Sequence, residues 1–145
     1  MLLKSVQGII RRAAEDAGLY AMFEYPVVFW DTYDHGRIDV AWFRKNERTP
    51  IAVFEIEGIN VQKKSLTQDM RKFMWANCEN RYLVLYTTRH GAPLVKNNEK
   101  ELQNLMSRLT NVVDSAPEFT TPKVLPDFSS FRNAINKIAK KIGNS

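Results

Sequence analysis

The chain contains a single cysteine, Cys78, among its 145 residues. One cysteine cannot form an intramolecular disulfide bond, and proteins without disulfide bonds are typical of reducing compartments. Cys78 lies among polar residues, and no neighbouring group indicates an activated thiolate. We therefore expect a cytoplasmic protein whose fold depends on noncovalent packing alone.

Long apolar runs are also missing. No stretch approaches the roughly 20 consecutive apolar residues that a membrane-spanning helix needs. The N-terminus, Met-Leu-Leu-Lys-Ser-Val-Gln-Gly, turns polar too early for the apolar region of a secretory signal. The sequence has no CxxC, P-loop or GxGxxG motif, so zinc, ATP and dinucleotides are not implied. These absences favour a soluble protein without a membrane partner.

What the chain does have is an excess of positive charge. It contains 21 lysine and arginine residues against 16 aspartate and glutamate residues, which gives a formal net charge of +5 and a pI of about 9.4. A basic protein favours polyanionic partners, nucleic acid first and an anionic membrane surface second. Many proteins of this size are basic without such a partner, so charge alone is a modest indication.

Hydrophobic periodicity divides the chain into helices and strands. It predicts a helix over about 3–17, strands over 25–30, 37–43 and 51–57, a helix over 62–77 and a strand over 81–87. Two more helices are expected around 102–109 and 131–142, and residues 114–127, which contain three prolines, are expected to form an irregular connection. We expect one domain over 1–145, with a core over about 3–87 and a helical C-terminal part over about 97–145.

The order of these elements predicts a mixed sheet. Asp34-His35-Gly36 is a turn signal, and a polar loop over 44–50 separates the next two strands, so the first three strands are expected to form an antiparallel meander. The helix over 62–77 then leads into an apolar strand, a crossover that makes the fourth strand parallel to the third. The predicted fold class is α/β, with helices flanking both faces of the sheet. Ile38, Val40 and Trp42 are expected on one face of the second strand, and Asp39 on the other.

Acidic residues interrupt two of the predicted strands. Glu55 and Glu57 share one face of the third strand because they are two residues apart, and Asp39 interrupts the apolar second strand. If these strands pair, the three carboxylates converge, and a hard divalent cation such as Mg²⁺ relieves their repulsion and activates water. The alternative is that they are solvated carboxylates or partners of Arg37 and nearby lysines. The pattern alone is compatible with both interpretations.

Two segments carry a resemblance to a known family. The arrangement Gly36-Arg37-Ile38-Asp39-Val40, a loop, and Phe54-Glu55-Ile56-Glu57-Gly58 resembles the core of PD-(D/E)xK nucleases. In that family a helix, a three-stranded meander, a crossover helix and a fourth strand recur in this order, so the resemblance covers about residues 3–87. It implies a restriction-endonuclease-like fold and Mg²⁺-dependent hydrolysis of DNA, with Mn²⁺ able to substitute. By this resemblance Asp39, Glu55 and the backbone carbonyl of Ile56 bind the metal ion.

The chain departs from the family pattern at two positions. Ile38 stands where proline is usual, which the family tolerates. Glu57 stands at the lysine position of the motif. Some restriction endonucleases of this family carry glutamate there, where it is thought to position or deprotonate the attacking water. The same departure is expected of an inactive member that keeps the fold as a nucleic-acid-binding or structural module.

The helix over 62–77 carries further candidates. In the family this helix often supplies a glutamine or a lysine to the active site, and here Gln68 and Lys72 lie four residues apart on one face. Lys72 is a candidate to replace the missing motif lysine, and the other basic residues at 63–72 are expected to contact the DNA backbone or the scissile phosphate. The alternative for each is a solvated helix face. The family's first helix often places a glutamate near the metal ion, and the sequence does not distinguish Gln7 from Glu15 for that position.

Two further sets of side chains remain. Three lysines of the last helix are expected either to bind phosphates or to form a solvated face: Lys137, Lys140 and Lys141. The tryptophans are expected mostly in the core rather than stacked on bases: Trp30, Trp42 and Trp75. The sequence therefore predicts a Mg²⁺-dependent endodeoxyribonuclease that prefers DNA to RNA and, by analogy with small members of the family, forms a homodimer.

Overall fold

The structure, a computed structural model, describes residues 2–86, 99–126 and 131–145, with side chains from Lys4 onward. The predicted end of the fourth strand at Thr87 and the predicted start of the C-terminal part near 97 lie outside the described residues. None of the described helices combines the length and apolar character that crossing a membrane requires. The elements follow in the order α1 (Leu2–Asp16), β1 (Tyr20–Phe29), β2 (Asp34–Phe43), β3 (Ala52–Gly58), α2 (Lys63–Ala76), β4 (Asn80–Tyr86), α3 (Glu99–Asp114), β5 (Lys123–Pro126) and α4 (Phe131–Gly143).

The strands form one mixed sheet in the order β1-β2-β3-β4-β5. The first three strands are antiparallel, and β4 runs parallel to β3 and β5 parallel to β4. The predicted α/β class, with a meander followed by a parallel strand, is confirmed. The predicted irregular connection over 114–127 is wrong at β5. This strand has only four residues and follows Pro122 directly, so it is too short to show a period, and Pro126 is tolerated because β5 is an edge strand.

Helices cover both faces of the sheet. Helices α1 and α4 pack on one face, around Trp42 and Phe54, and α2 and α3 pack on the other, around Leu83. The apolar stripes that predicted these helices are the faces that they bury, as with Leu66, Met70 and Phe73 of α2. Because both faces are covered, a polar side chain on a central strand is removed from water unless it lies near the end of that strand.

The second strand changes the face that it presents at Asp39. Val40 and Trp42 lie in the core beneath α1 and α4, whereas Ile38 lies in the core beneath α2 and α3. The prediction that Ile38 shares a face with Val40 and Trp42 is therefore wrong.

On the neighbouring strand β1, the side chains also switch from one face of the sheet to the other, at the position opposite Asp39. Phe23 packs with the α1–α4 core and Tyr25 with the α2–α3 core, and Glu24 between them has a φ of 54°. A left-handed residue breaks the alternation of a strand, as bulges do. Strand periodicity assumes extended backbone throughout, which explains why the sequence pattern misplaced Ile38.

The β1–β2 hairpin is longer than predicted. β1 begins at Tyr20, and the turn comprises residues 30–33, so Asp34-His35-Gly36 belongs to β2 rather than to the turn. Trp42 is fully buried, as predicted, but Trp30 lies in the turn and is 63% exposed. The prediction of a core position is wrong for Trp30, because the longer hairpin carries this residue beyond the helices that cover the sheet.

Candidate active site

A cleft of about 610 Å³ opens where β3 and β4 end, beside α2. In α/β proteins the carboxyl ends of parallel strands are a common place for ligands. The residues that the sequence singled out as catalytic or metal-binding all contribute to the lining of this cleft: Asp39, Glu55, Ile56, Glu57, Gln68 and Lys72. The remaining lining residues are Lys64, Ser65, Asp69 and Tyr86.

Two carboxylates lie at the point where the pairing between β2 and β3 ends. The ladder between these strands runs from Trp42–Ala52 to Val40–Phe54. At the next level, the backbone N–H of Ile56 donates to Oδ2 of Asp39 over 2.7 Å. The backbone N–H of Asp39 in turn donates to Oε1 of Glu55 over 3.3 Å. Side chains thus replace the backbone acceptors of the ladder, and each carboxylate is fixed by an N–H of the other strand.

The backbone of Ile56 also belongs to this site. The N–H and C=O groups of one residue in an extended strand point to the same side. Because the N–H of Ile56 faces Asp39, its carbonyl oxygen faces the same gap between β2 and β3. The gap therefore offers a neutral oxygen beside the two carboxylates.

Burial dominates the protonation of both acids. It raises the pKa of Asp39 to about 6, although the Ile56 N–H and the Lys72 ammonium oppose the shift. Burial and the negative charge of Asp39 raise the pKa of Glu55 to about 7, and Glu55 is only 2% exposed. Both side chains would therefore be more readily ionised if a cation lay between them.

Asp69 of α2 is a fourth carboxyl group in the cleft, and the sequence pattern did not reveal it. It is 3% exposed, and its Oδ2 has no hydrogen-bond partner. Burial, a hydrogen bond to Glu57 and the charge of Glu55 raise the pKa of Asp69 to about 12. The missing partner and the raised pKa are consistent with each other. Neighbouring carboxylates cannot donate a hydrogen bond to Asp69, whereas a protonated Asp69 can donate one to a neighbouring carboxylate. Helical spacing could have predicted that Asp69 is buried, because it lies on the same face of α2 as Leu66, Met70 and Phe73.

Lys72 brings positive charge into the acidic cluster. Its Nζ lies 3.4 Å from Oε2 of Glu55 and 3.9 Å from Oδ1 of Asp69. Burial alone would lower the pKa of Lys72, but the acidic groups around it, Glu55 above all, raise it, so the side chain stays charged. An ammonium group thus reaches the cleft from α2, whereas β3 contributes the carboxyl groups of Glu55 and Glu57.

The balance of charge in the cleft is negative. Its lining contains four carboxyl groups and two lysines, a formal charge of −2 in a chain of net charge +5. A divalent cation fits this donor set, because the donors are oxygens and the carboxyl groups of Asp39 and Glu55 lie together in a largely buried position. In the part of the chain that the structure describes, no three acidic, histidine or cysteine side chains are spaced to hold a metal ion together. Mg²⁺ commonly binds through only one or two carboxylates and keeps several waters, so Asp39 and Glu55 with the Ile56 carbonyl form a sufficient set.

Some residues predicted for the site lie elsewhere. Glu15 lies on the surface of α1, where it faces Arg11 at 4.0 Å. Gln7 is the residue of α1 that reaches the site, since its side-chain Nε2 donates to the backbone carbonyl of Asp39 over 3.1 Å and is buried there. Arg71 does not line the cleft and instead contacts Asp31 at 3.1 Å.

The exposed lysines of α4 are also distant from this arrangement. Helix α4 packs with α1, on the face of the sheet opposite to α2. Lys137, Lys140 and Lys141 are solvent-exposed there, and none of them lines the cleft.

The comparisons with known proteins name no family for this chain. No protein-family model matches it, and no curated protein and no solved structure is significantly similar to it. The function is therefore inferred from the geometry and charge of the cleft, together with the resemblance of the two segments that supply Asp39 and Glu55.

Proposed function

We propose that the chain is a Mg²⁺-dependent endodeoxyribonuclease with a restriction-endonuclease-like core. The observation that carries the proposal is the reciprocal arrangement of Asp39 and Glu55 where β2 leaves β3, with the Lys72 ammonium 3.4 Å from Glu55. The two acids of the PD-(D/E)xK-like motif and a lysine thus meet in one cleft. Buried carboxyl groups with raised pKa values beside a lysine, all in one cleft, are typical of a catalytic centre.

Each group in the cleft has a distinct role in the proposed reaction. Asp39, Glu55 and the Ile56 carbonyl hold Mg²⁺, which when bound lowers the pKa of a water molecule and stabilises negative charge on the phosphate. Glu57 accepts the proton of the attacking water. Lys72 donates hydrogen bonds to a phosphate oxygen as negative charge develops, and Gln68 orients the phosphate. Water adds across one P–O ester bond, and the leaving oxygen takes up a proton.

Positive charge beside the cleft suits a DNA backbone. Lys63 and Lys64 are exposed on the first turn of α2, and Lys64 lines the cleft. Lysines at such positions bind phosphates without reading sequence, and the resulting affinity falls with salt. A homodimer belongs to the proposal by analogy with small members of the family, because two strands require two cleavage events.

The second candidate is a fold-retaining module that binds nucleic acid without cutting it. Glu57 at the motif lysine position favours this candidate. Such a module would keep the basic surface and the buried pair of Asp39 and Glu55 as structural features.

A cleavage assay separates the two candidates. Supercoiled plasmid and branched DNA are incubated with Mg²⁺ or Mn²⁺ and the wild type, Asp39→Asn or Glu55→Gln. Both substitutions keep an oxygen acceptor for the backbone N–H that donates to each carboxylate, so the fold is expected to survive. We expect wild-type cleavage that requires the metal ion and falls at least about a hundredfold in either variant.

Two controls make this result specific. Glu15→Gln removes an exposed carboxylate outside the cleft and is expected to cut like the wild type. Lys72→Met is expected to lose cleavage, while Lys140→Met, which changes an exposed lysine of α4 on the opposite face of the sheet, is expected to retain it. Binding of DNA by a wild type that cuts neither substrate would favour the inactive module, and unchanged cleavage by Asp39→Asn would overturn the assignment of this cleft.

A further inference from the structure

The turn of the β1–β2 hairpin presents two aromatic side chains to solvent. Trp30 is 63% exposed and Tyr33 is 73% exposed, the highest values among the large hydrophobic residues that the structure describes. Their ring centroids are 6.3 Å apart, with an angle of 85° between the planes. The two rings therefore form an edge-to-face pair that no described helix covers. Tryptophan and tyrosine are enriched at binding surfaces, so an exposed pair of these rings indicates such a surface.

Contacts from α2 fix the turn in place. Arg71 Nη2 lies 3.1 Å from Oδ1 of Asp31 and donates to Oγ1 of Thr32 over 2.9 Å. Its guanidinium group also lies 4.3 Å from the centre of the Phe29 ring. The exposed rings thus stand on a preorganised turn, which lowers the entropy lost when a ligand binds.

The residue type at position 33 is not the one that stability favours. Tyr33 has a φ of 60°, a left-handed conformation that glycine or asparagine adopts with less strain. In this conformation the ring of Tyr33 makes an edge-to-face contact with the ring of Trp30. Strain at an exposed aromatic residue is typical of a position retained for binding.

The base of the turn touches the active-site lysine. A Cβ atom added at Gly36 would lie 2.8 Å from Cζ of Phe29 and 3.2 Å from Cγ of Lys72. The Lys72 ammonium lies 3.4 Å from Glu55. The aromatic turn and the proposed catalytic cleft are therefore linked through neighbouring residues of α2, since Arg71 contacts the turn and Lys72 lines the cleft.

The charge of the turn indicates what it contacts. Asp31 and Asp34 flank the rings, and Arg71 is already paired with Asp31, so residues 30–34, all of them described, offer no free cation to a phosphate. An aromatic surface that offers no cation, next to a phosphodiester site, suits a nucleobase rather than a phosphate. In duplex DNA the faces of the bases are covered by stacking, so a base at a gap, a branch or a single-stranded segment offers its face at the lowest cost in unstacking energy.

We propose that the Trp30–Tyr33 turn binds an unpaired nucleobase next to the cleaved phosphodiester, which makes DNA with unpaired or branched segments the substrate class. This inference rests on the proposed nuclease function. It assigns the basic surface of α2 to the phosphate backbone and the aromatic turn to the base.

The test compares two DNAs that differ only in an unpaired segment. Fluorescence anisotropy measures binding of a blunt duplex and of the same duplex with a short single-stranded gap, with Ca²⁺ in place of Mg²⁺. We expect the wild type to prefer the gapped DNA, and Trp30→Ala to weaken gapped binding about tenfold while blunt-duplex binding stays within about twofold. Trp30→Phe keeps a stacking ring and should retain most of the preference. Tyr20→Ala, an exposed aromatic residue at the other end of β1, should change neither affinity.

A second readout reports the contact itself. Trp42 is fully buried, and Trp75 is partly buried with its indole N–H shielded from solvent, so much of the solvent-sensitive tryptophan emission is expected from Trp30. Stacking of a base should quench that emission on gapped DNA, and Trp30→Phe should remove the quenching. Equal loss of affinity for both DNAs in Trp30→Ala, or no loss for either, overturns the inference.

The remaining outcomes separate this inference from the proposed function. Metal-dependent cleavage without any preference for unpaired segments keeps the nuclease and rejects the role of the turn. Preference for gapped DNA that Trp30→Ala abolishes, without cleavage, supports the turn and rejects the nuclease. A change of oligomeric state in Trp30→Ala, measured by light scattering, would make the turn a protein interface and overturn the inference. Binding of neither DNA overturns both.

Discussion

Asp69 holds the most strongly shifted carboxyl group in the described part of the chain. Burial, the hydrogen bond to Glu57 and the charge of Glu55 raise its pKa from 3.8 to about 12, so it stays protonated at neutral pH. In the unfolded chain the same group ionises near its ordinary pKa. Folding therefore takes up a proton at this position, and the associated free energy disfavours the native state increasingly as pH rises above about 4.

Replacement of Asp69 by asparagine tests this reasoning. Asparagine keeps a donor and an acceptor where a protonated aspartate has them, and it takes up no proton. We expect Asp69→Asn to be more stable than the wild type at pH 8 by at least about 1 kcal/mol, with the difference shrinking towards pH 4. Urea denaturation with EDTA at several pH values measures it. A variant that is less stable than the wild type at pH 8 would show that Asp69 is ionised and held by a cation such as Lys72.

Within single helices and strands, the periodicity of the sequence correctly predicts the features that regular backbone determines. Alternation placed Glu55 and Glu57 on one face of β3, and helical spacing placed Gln68 and Lys72 on one face of α2; all four line the cleft. The βαβ crossover correctly predicted β4 parallel to β3. These successes follow from local geometry, which depends on a few neighbouring residues.

The failures occur where one element depends on another. The change of face at Asp39 requires the left-handed Glu24 on the neighbouring strand, and a single sequence does not reveal such a pair. Trp30 was expected in the core because the turn was placed too late in the chain. The two cross-strand bonds, from the Ile56 N–H to Asp39 and from the Asp39 N–H to Glu55, likewise exist only because β2 and β3 separate. Strand divergence is a tertiary property with no local signal.

The β1–β2 hairpin and α2 meet closely at Gly36, and this contact gives a prediction for packing between elements. An added methyl group would lie 2.8 Å from Phe29 and 3.2 Å from Lys72, and Phe29 belongs to the buried core. We expect Gly36→Ala to destabilise the protein by about 1–3 kcal/mol, as overpacking does, and to displace the stem of Lys72. The free energy of unfolding from urea titration measures the first effect, and the rate of DNA cleavage measures the second.

Gly8→Ala is the matched control for that substitution. Gly8 is exposed in α1, and an added Cβ meets nothing within 4 Å. Alanine is the better helix former, so Gly8→Ala should stabilise the protein by about 0.5–1 kcal/mol. Opposite signs for the two glycines would support the close contact at Gly36. Stabilisation by both would mean that the hairpin and Lys72 move apart easily.

At the scale of the whole molecule, the buried acids make stability depend on pH and on cations together. The folded-state pKa values of Asp39 and Glu55, about 6 and about 7, lie above their ordinary values of 3.8 and 4.5. A carboxyl group with a raised pKa binds more protons in the native state than in the unfolded state. Its contribution to stability is therefore full below its ordinary pKa and is lost as pH rises through the folded-state value.

The metal-free protein should accordingly lose stability between about pH 4 and pH 7, the window that these pKa values define. A tenfold change in an acid dissociation constant corresponds to about 1.4 kcal/mol, so the combined loss from the two acids is on the order of a few kcal/mol. Mg²⁺ should oppose it at pH 8, because binding to the native state alone adds about 1.4 kcal/mol at ten times its Kd. Thermal unfolding with EDTA, with Mg²⁺ and with KCl at equal ionic strength measures both effects.

Stability that rises from pH 5 to pH 8 without metal would contradict the burial of these acids. Equal effects of Mg²⁺ and KCl would instead show that the cleft has no specific cation site, whereas Asp39→Asn should remove a specific effect of Mg²⁺ and leave that of KCl.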